Sequence, residues 1–161
     1  MAIIIDPELS GGSVLLIRRV EREGDPWSGQ VAFPGGRRGP NDKTLLDTAV
    51  REAWEEVGIG LREHELFGVL SLVPTRSGRI VIAPFVFRLK AKVAVRTNEE
   101  VAERIWVPLS ELQTAPVSKT DVQVEEGRLV VDAYIIRGHV IWGLTFRIIN
   151  QLLQREQTSD L

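Results

Sequence analysis

Three glutamates crowd one short stretch of the sequence. Glu52, Glu55 and Glu56 are spaced i, i+3 and i+4, which places them on about one turn of a single helix face. Like charges at this spacing destabilise a helix, and the negative end of the helix dipole adds to the repulsion. Arg51 can pair with Glu55 across i, i+4, but one guanidinium cannot neutralise three carboxylates. The pattern therefore indicates that a cation from outside the sequence belongs at this place.

Oxygen ligands clustered in this way suit hard divalent cations. Mg²⁺ and Mn²⁺ prefer carboxylates, keep several waters and often bind substrate phosphates as well. An isolated E-x-x-E-E pattern is usually a solvated acidic face. The preceding loop changes this interpretation, because Gly35 and Gly36 are followed by Arg37 and Arg38. Glycines let a ligand approach the backbone closely, and guanidinium groups bind phosphate oxygens through charge-assisted hydrogen bonds.

The composition excludes several other classes of function. The chain has 161 residues, 43% of them hydrophobic, which is enough for one domain with its own core. The absence of cysteine excludes disulfides, thiolate zinc sites and a thiol nucleophile. A net charge of -2 gives no broad positive field for nucleic acid. The apolar stretches are too short to span a bilayer and the start carries no basic leader, so we expect a cytoplasmic protein with neither nucleic-acid nor membrane partners.

A helix between Asn41 and Gly58 must position the three glutamates. Asn41 or Asp42 can cap its start, and Gly58 is placed to end it in a left-handed conformation. The apolar residues on its other face follow helical spacing. They are Leu46, Ala49, Val50, Ala53, Trp54 and Val57. The helix is therefore expected to pack through one face and to carry its chemistry on the other.

Predicted strands lie on both sides of this helix. Apolar runs bounded by turn residues predict them at 13–19, 31–33, 66–73, 80–89 and 104–107, with a hairpin at 123–131 that turns at Glu126-Gly127. A second helix is predicted over 144–153. Strands around a central helix favour an α/β fold with a mixed sheet covered on both faces. No repeat or linker divides the chain, so we expect a single domain over 1–153 and a polar C-terminal tail over 154–161.

The glycine loop and the glutamates together resemble the Nudix box, which ends in R-E-U-x-E-E-x-G-U, with U a bulky aliphatic residue. Residues 51–59 match this pattern apart from Ala53 at a U position, and Asp42 stands for an earlier glutamate of the box. The resemblance implies a Nudix α/β/α sandwich in which the box forms a loop-helix-loop unit against the sheet. It also implies a pyrophosphohydrolase that uses Mg²⁺ or Mn²⁺ to cleave a nucleoside diphosphate linked to another moiety.

The same resemblance implies roles for individual residues. The metal ligands would be Gly36, Glu52, Glu55 and Glu56. Arg51 would order these carboxylates, and a glutamate from outside the box would act on the attacking water. Glu100 is preferred for that role over Glu99 and Glu103. The residues expected to contact the substrate are Arg19, Phe33, Arg37 and Arg38, and Trp27 and Trp142 are further candidates for stacking on a base.

The wider sequence is most similar to the coenzyme A pyrophosphatase branch of the Nudix hydrolases. The matching segments are 15–19, 29–36 and 141–145. Ile17, Val20 and Asp25 stand where that branch usually has Thr, Ser and Arg. Because of the three matching segments, coenzyme A or a derivative is the first candidate substrate. The alternatives are an ADP-ribose or other house-cleaning nucleotide pyrophosphatase and a non-catalytic nucleotide-sensing module, and a homodimer is allowed in each case.

Overall fold

Short strands and three helices follow one another along the residues that the computed structural model describes, 1–25, 27–124 and 127–156. The strands are β1 (Ala2–Asp6), β2 (Ser13–Arg19), β3 (Val31–Ala32), β4 (Glu65–Val69), β5 (Val73–Pro74), β6 (Val81–Ile82), β7 (Phe85–Arg88), β8 (Val101–Pro108), β9 (Val117–Val124), β10 (Gly127–Ile136) and β11 (His139–Trp142). The helices are α1 (Leu45–Val57), α2 (Leu109–Thr114) and α3 (Gly143–Glu156). Within these residues, no helix is both long and apolar enough to cross a membrane.

The central sheet is mixed, as the sequence predicts. Its strands lie in the order β3-β2-β1-β7-β4, and β8 also pairs with β2. β1 runs parallel to β7, with Ile3 opposite Val86, and antiparallel to β2, with Ile5 opposite Val14. Since successive residues of a strand point to opposite faces, the continuous apolar runs of β1 and β2 fill both sides of the sheet.

A helix covers each face of this sheet. On one side, Ile4 and Leu15 pack in a buried cluster with Ala53 of α1. On the other side, Leu16 lies in a second cluster with Ile149 of α3. Full burial of such a side chain contributes about 1.5–3 kcal/mol. The α/β/α arrangement implied by the sequence is confirmed, and it fixes α1 firmly against the sheet.

The start of α1 differs from the prediction. Thr44 caps the helix in place of Asn41 or Asp42, because its hydroxyl oxygen accepts the Asp47 N–H at 3.1 Å while the Asp47 carboxylate accepts the Thr44 N–H at 3.0 Å. This reciprocal pair satisfies two backbone donors at the helix start. The predicted end is confirmed, since Gly58 has a left-handed φ of 70°.

The buried face of α1 also differs from the prediction at one position. Trp54 was expected to pack but is 63% exposed, whereas Glu56 is only 2% exposed. A buried carboxylate needs hydrogen-bond partners, and Glu56 finds one in the loop before the helix, as described below. The helix therefore buries Glu56, one of the three glutamates predicted to act in the site.

Two predicted strands are interrupted. The stretch 66–73 contains β4 and the first residue of β5, and the stretch 80–89 contains β6 and β7. β4 and β7 belong to the central sheet, but β5 and β6 form a separate antiparallel pair. Pro84 lies between β6 and β7, where proline supplies no N–H for a strand ladder. The apolar runs are continuous in sequence although the strands are not.

Several other elements have bounds that differ from the predicted ones, or were not predicted. β3 ends before Phe33, β8 exceeds 104–107 on both sides, and β9 and β10 extend the hairpin well beyond 123–131. The turn of this hairpin was predicted at Glu126-Gly127. Gly127 begins β10, and Glu126 lies outside the described residues. α3 continues past Leu153 to Glu156, while residues 157–161 of the predicted tail lie outside the described residues. β1, α2 and β11 were not predicted.

Candidate active site

Arg51 connects the acidic side chains around it. Its Nη1 lies 2.8 Å from Oε1 of Glu52 and 2.8 Å from Oε2 of Glu55. Its Nη2 lies 2.9 Å from Oδ2 of Asp42 and donates to the Arg37 carbonyl at 3.0 Å. The predicted pairing with Glu55 is confirmed. Arg51 contacts two of the three glutamates of the triad, and its single positive charge is also shared with Asp42.

Asp42 fixes the orientation of the Arg51 guanidinium, and the sequence did not reveal this role. Its buried carboxylate accepts from Arg51 Nε at 3.1 and 3.3 Å and from the Gly39 N–H at 2.7 Å. The Arg51 guanidinium and the Gly39 N–H hold the pKa of Asp42 well below its usual range, and the pKa of Arg51 is raised in turn by Asp42. The available signal was an acidic residue near the place where the Nudix box has a glutamate.

Glu56 is the most buried carboxylate of the triad. Its Oε2 accepts the Gly35 N–H at 2.8 Å, and its Oε1 lies 4.0 Å from Nη1 of Arg19. Burial raises the pKa of Glu56 to about 7, and the neighbouring charges of Glu52 and Glu100 add to this rise against the opposing effects of Gly35 and Arg19. Without a bound cation, Glu56 therefore keeps its proton to a higher pH than a solvent-exposed glutamate does.

Glu52 lies directly against the glycine loop. A Cβ on Gly36 would stand 2.4 Å from Oε1 of Glu52, so a side chain does not fit there while Glu52 keeps its position. Burial raises the pKa of Glu52, and Arg51 opposes that shift. Gly36 and two glutamates of the helix are therefore brought together, as the sequence predicts.

The loop before β8 brings Glu100 to the same place. The Asn98 N–H donates to the Glu56 carbonyl at 3.3 Å, which joins this loop to the end of α1. Glu100 is exposed, and its charge raises the pKa of both Glu52 and Glu56. Glu103, by contrast, pairs with Arg18 at 3.3 Å. The charge of Glu100 thus acts on two glutamates of the triad, whereas Glu103 forms an ion pair with Arg18.

The two arginines of the glycine loop lie in different environments. Arg37 stands over the exposed ring of Trp27, 6.0 Å from its centre, and lines a cleft of about 370 Å³ that Glu52 also borders. Arg38 donates to the carbonyls of Asp42 at 2.9 Å and Lys43 at 2.8 Å. Arg37 therefore faces the candidate site, while Arg38 holds the loop at the start of α1.

Arg19 and Phe33 differ in their access to a substrate. Arg19 follows an irregularity in the pairing of β2 with β8 and donates to Asp25 at 3.0 Å, besides lying near Glu56. Asp25, which stands where the coenzyme A branch has arginine, thus compensates part of the positive charge at this end of β2. Phe33 is 1% exposed in the core, so its ring has no free face and this placement does not support a substrate contact.

Comparison with known proteins decides the family. The NUDIX domain family model matches residues 1–126. The chain belongs to the Nudix family. It is 40% identical over 132 residues to an uncharacterized Nudix hydrolase NudL of Photorhabdus laumondii, covering 81% of this chain and 70% of that protein. It is 37% identical over 157 residues to an uncharacterized Nudix hydrolase NudL of Yersinia pestis (strain Pestoides F), covering 95% and 75%.

Solved structures share the Nudix fold with this chain. The MutT protein from Methanosarcina mazei Go1 matches with a TM-score of 0.62 and 21% identity, over 98% of this chain and 92% of that one. The NUDIX domain of Shewanella oneidensis NrtR, complexed with ADP ribose, matches with a TM-score of 0.60 and 19% identity, over 98% and 85%. At these identities the likeness shows the fold alone. The family model and the sequence relatives identify a Nudix hydrolase, a pyrophosphohydrolase of nucleoside diphosphate derivatives.

Nudix hydrolases typically use divalent metals, and the donor chemistry of this site fits one. Carboxylate oxygens and the backbone of Gly36 are the hard ligands that such cations prefer. Among the described residues, no group of three acidic, histidine or cysteine side chains could hold an ion as placed. Arg51 holds Glu52 and Glu55 instead. Metal binding would therefore require these two side chains to rotate away from the guanidinium.

Proposed function

We propose that this Nudix hydrolase requires Mg²⁺ or Mn²⁺ and that coenzyme A or a derivative is its first candidate substrate. The observation that carries the metal requirement is the contact of Glu52 and Glu56 with the Gly35-Gly36 loop, where both carboxylates are buried enough for their pKa values to rise. Buried carboxylates of this kind favour either protons or a cation. The similarity of residues 29–36 and 141–145 to the coenzyme A branch supports the substrate.

The cation would be held by Glu52, Glu55, Glu56 and the Gly36 carbonyl. When bound, it supplies positive charge against the phosphate oxygens and lowers the pKa of a water. Glu56 must lose its proton first, and Arg51 must release the other two glutamates. Arg51 would remain fixed by Asp42 and act as a positioning residue.

Two further residues would act on the reactants. Glu100 is exposed and its charge acts on two glutamates of the triad, so its carboxylate can take the proton of the attacking water. Arg37 lines the cleft beside Glu52, so its guanidinium can bind phosphate oxygens. Cleavage then requires a diphosphate, since the site has to bind phosphate groups on both sides of the broken bond.

A panel of substrates tests this proposal. Coenzyme A, ADP-ribose and simple phosphate monoesters are incubated with Mg²⁺, with Mn²⁺ and with a chelator, and the products are identified. We expect coenzyme A to give phosphopantetheine and adenosine 3′,5′-bisphosphate, only when metal is present, and the monoesters to remain intact. Turnover of monoesters, or equal turnover in chelator, would overturn the proposal.

ADP-ribose is the second candidate, and the Arg19–Asp25 pair is the observation that favours it. The ion pair, at 3.0 Å, compensates a positive charge that could otherwise meet the 3′-phosphate of coenzyme A. We expect Asp25→Arg to raise kcat/KM for coenzyme A relative to dephospho-coenzyme A, which lacks that phosphate. Asp25→Asn is the matched variant that removes the carboxylate without adding an arginine. An unchanged ratio in Asp25→Arg would show that this end of β2 does not contact the 3′-phosphate.

A further inference from the structure

Strand β9 has one free edge. It pairs with β10 over its whole length, from Val117 opposite Tyr134 to Val124 opposite Gly127, and no strand of the described residues pairs with its other side. An unpaired edge exposes a row of backbone N–H and C=O groups that can pair with another chain. In many proteins a bulge or a proline in the edge strand prevents such pairing with another chain. The β9–β10 register shows no shift, and β9 contains neither proline nor glycine.

Strand β9 stands apart from the two cores, although the end of β10 reaches one of them through Tyr134 and Ile136. None of the β9 residues is buried, and β9 packs chiefly against β10. Val117 and Val130 are exposed on its outer face. This face has the alternating pattern of a strand pair that is covered on neither side along most of its length. The hairpin is therefore accessible to a second chain.

The charged residues of β9 are arranged so that they could form ion pairs with β9 of a second copy. Lys119 and Asp121 point to the same face, one on each side of Thr120. Lys119 Nζ lies 2.7 Å from Oδ1 of Asp132 on β10, and Asp121 lies opposite Val130 and makes no ion pair with the described residues. Asp121 thus presents an uncompensated carboxylate beside the free edge.

We propose that β9 pairs antiparallel with β9 of a second copy of this chain, in the register centred on Thr120. The two copies would be related by a two-fold axis perpendicular to the sheet. Directly opposite residues of an antiparallel pair point to the same face, and neighbouring residues of one strand point to opposite faces. The axis must therefore pass beside a residue, which then lies opposite the same residue of the second copy. With Thr120 at the centre, Lys119 lies opposite Asp121 of the second copy, and the pair occurs twice. A centre at Lys119 or at Asp121 places two like charges opposite each other, which destabilises a sheet. Of these three centres, the charges therefore favour Thr120, which places two opposite-charge pairs across the edge.

The resulting sheet is continuous across the two copies. Its strand order is β11-β10-β9 followed by the same three strands of the second copy in reverse. Lys119 then lies between Asp132 of its own chain and Asp121 of the second copy, so opposite charges alternate across the sheet. None of these residues belongs to the candidate active site.

Sedimentation velocity over a wide concentration range tests the proposal, with charge-reversal variants. We expect the wild type to dimerise and Lys119→Asp or Asp121→Lys to raise the dimer dissociation constant by at least about tenfold, since each creates two like-charge pairs. The double variant Lys119→Asp/Asp121→Lys should restore dimerisation. Asp132→Asn is the matched control, because it removes the same internal ion pair as Lys119→Asp but leaves the edge unchanged. Melting temperature and diphosphate hydrolysis verify that each variant is folded.

A disulfide test gives a second measurement in a chain that has no cysteine of its own. Thr120→Cys should place two thiols across the two-fold axis, within the Cα separation that a disulfide requires, and oxidation should give a linked dimer. Ser118→Cys should not, because Ser118 would lie opposite Val122 of the second copy. A wild type that stays monomeric, a dimer unaffected by the single charge reversals, or linkage of Ser118→Cys as readily as Thr120→Cys would overturn the proposal.

Discussion

Glu56 links the protonation of the site to the stability of the fold. In the metal-free protein, burial raises the pKa of Glu56 from 4.5 to about 7. A carboxyl whose pKa rises on folding gives its full stability below the unfolded value and loses it as the pH rises through the folded value. The free energy of unfolding should therefore fall between about pH 4.5 and 7, by up to about 3 kcal/mol from this group.

Glu56→Gln should remove that part of the pH dependence, since glutamine does not ionise. Urea unfolding in chelator at several pH values measures the free energy of unfolding directly. Glu8→Gln, at an exposed position far along the chain from the site, is the control and should keep the wild-type slope. The same slope in Glu56→Gln would show that Glu56 is not a buried proton acceptor.

Arg51 and Asp42 should behave as a coupled pair. Removing Arg51 leaves the buried Asp42 carboxylate without its cation, so Arg51→Ala is expected to cost about 2 kcal/mol or more. Asp42→Ala/Arg51→Ala should cost clearly less than the sum of the two single variants, because the buried Asp42 carboxylate is then no longer left without its cation. A double-mutant cycle in urea measures this coupling, and additive losses would contradict it.

The sequence predicts the functional residues unevenly. The spacing of Glu52, Glu55 and Arg51 follows from local helix geometry, so their proximity could be predicted. The burial of Glu56 could not, because it depends on an N–H that Gly35 supplies from a different element. The role of Asp42 was missed for a similar reason, since a side chain suited to a helix cap can also pair with an arginine two turns away.

At the scale of elements, the glycine loop must lie close to α1 for the site to form. Gly36→Ala would place a Cβ 2.4 Å from Oε1 of Glu52 and displace that carboxylate. We expect kcat for a diphosphate substrate to fall by about tenfold or more with little change in melting temperature, because a displaced metal ligand weakens charge stabilisation. Gly60→Ala is the matched control, since a Cβ there meets nothing within 4 Å. Equal activity of the two variants would contradict the contact between the loop and Glu52.

Elements with strong periodicity were predictable, and elements defined by pairing were not. α1 and α3 show the helical spacing of apolar residues, and both were found near their predicted places. β1 was missed because no turn residue marks its start, whereas β2, whose apolar run is equally continuous, follows Gly11 and Gly12. An apolar run can also form two strands in place of one, as β6 and β7 do on either side of Pro84. This depends on which strand each part pairs with, and the local sequence does not show that.

At the scale of the molecule, the layers bring distant segments to one place. The loop after β3, helix α1 and the loop before β8 meet through Gly35, Glu56 and Asn98. The α/β class could be predicted from the succession of elements. The strand order could not, because the parallel pairing of β1 with β7 joins segments about half a chain apart and leaves no local signal.

We infer that the glutamates of α1 and a divalent cation act together in the cleavage of a diphosphate. The most direct test is kcat for a diphosphate substrate, measured for wild type, Glu55→Gln and Glu56→Gln at saturating and at limiting Mn²⁺. Each variant should lower kcat by about a hundredfold or more, because each removes a charged ligand, while the melting temperature in chelator shows that the fold is retained. Near-normal turnover of the folded variants at limiting metal would contradict the claim.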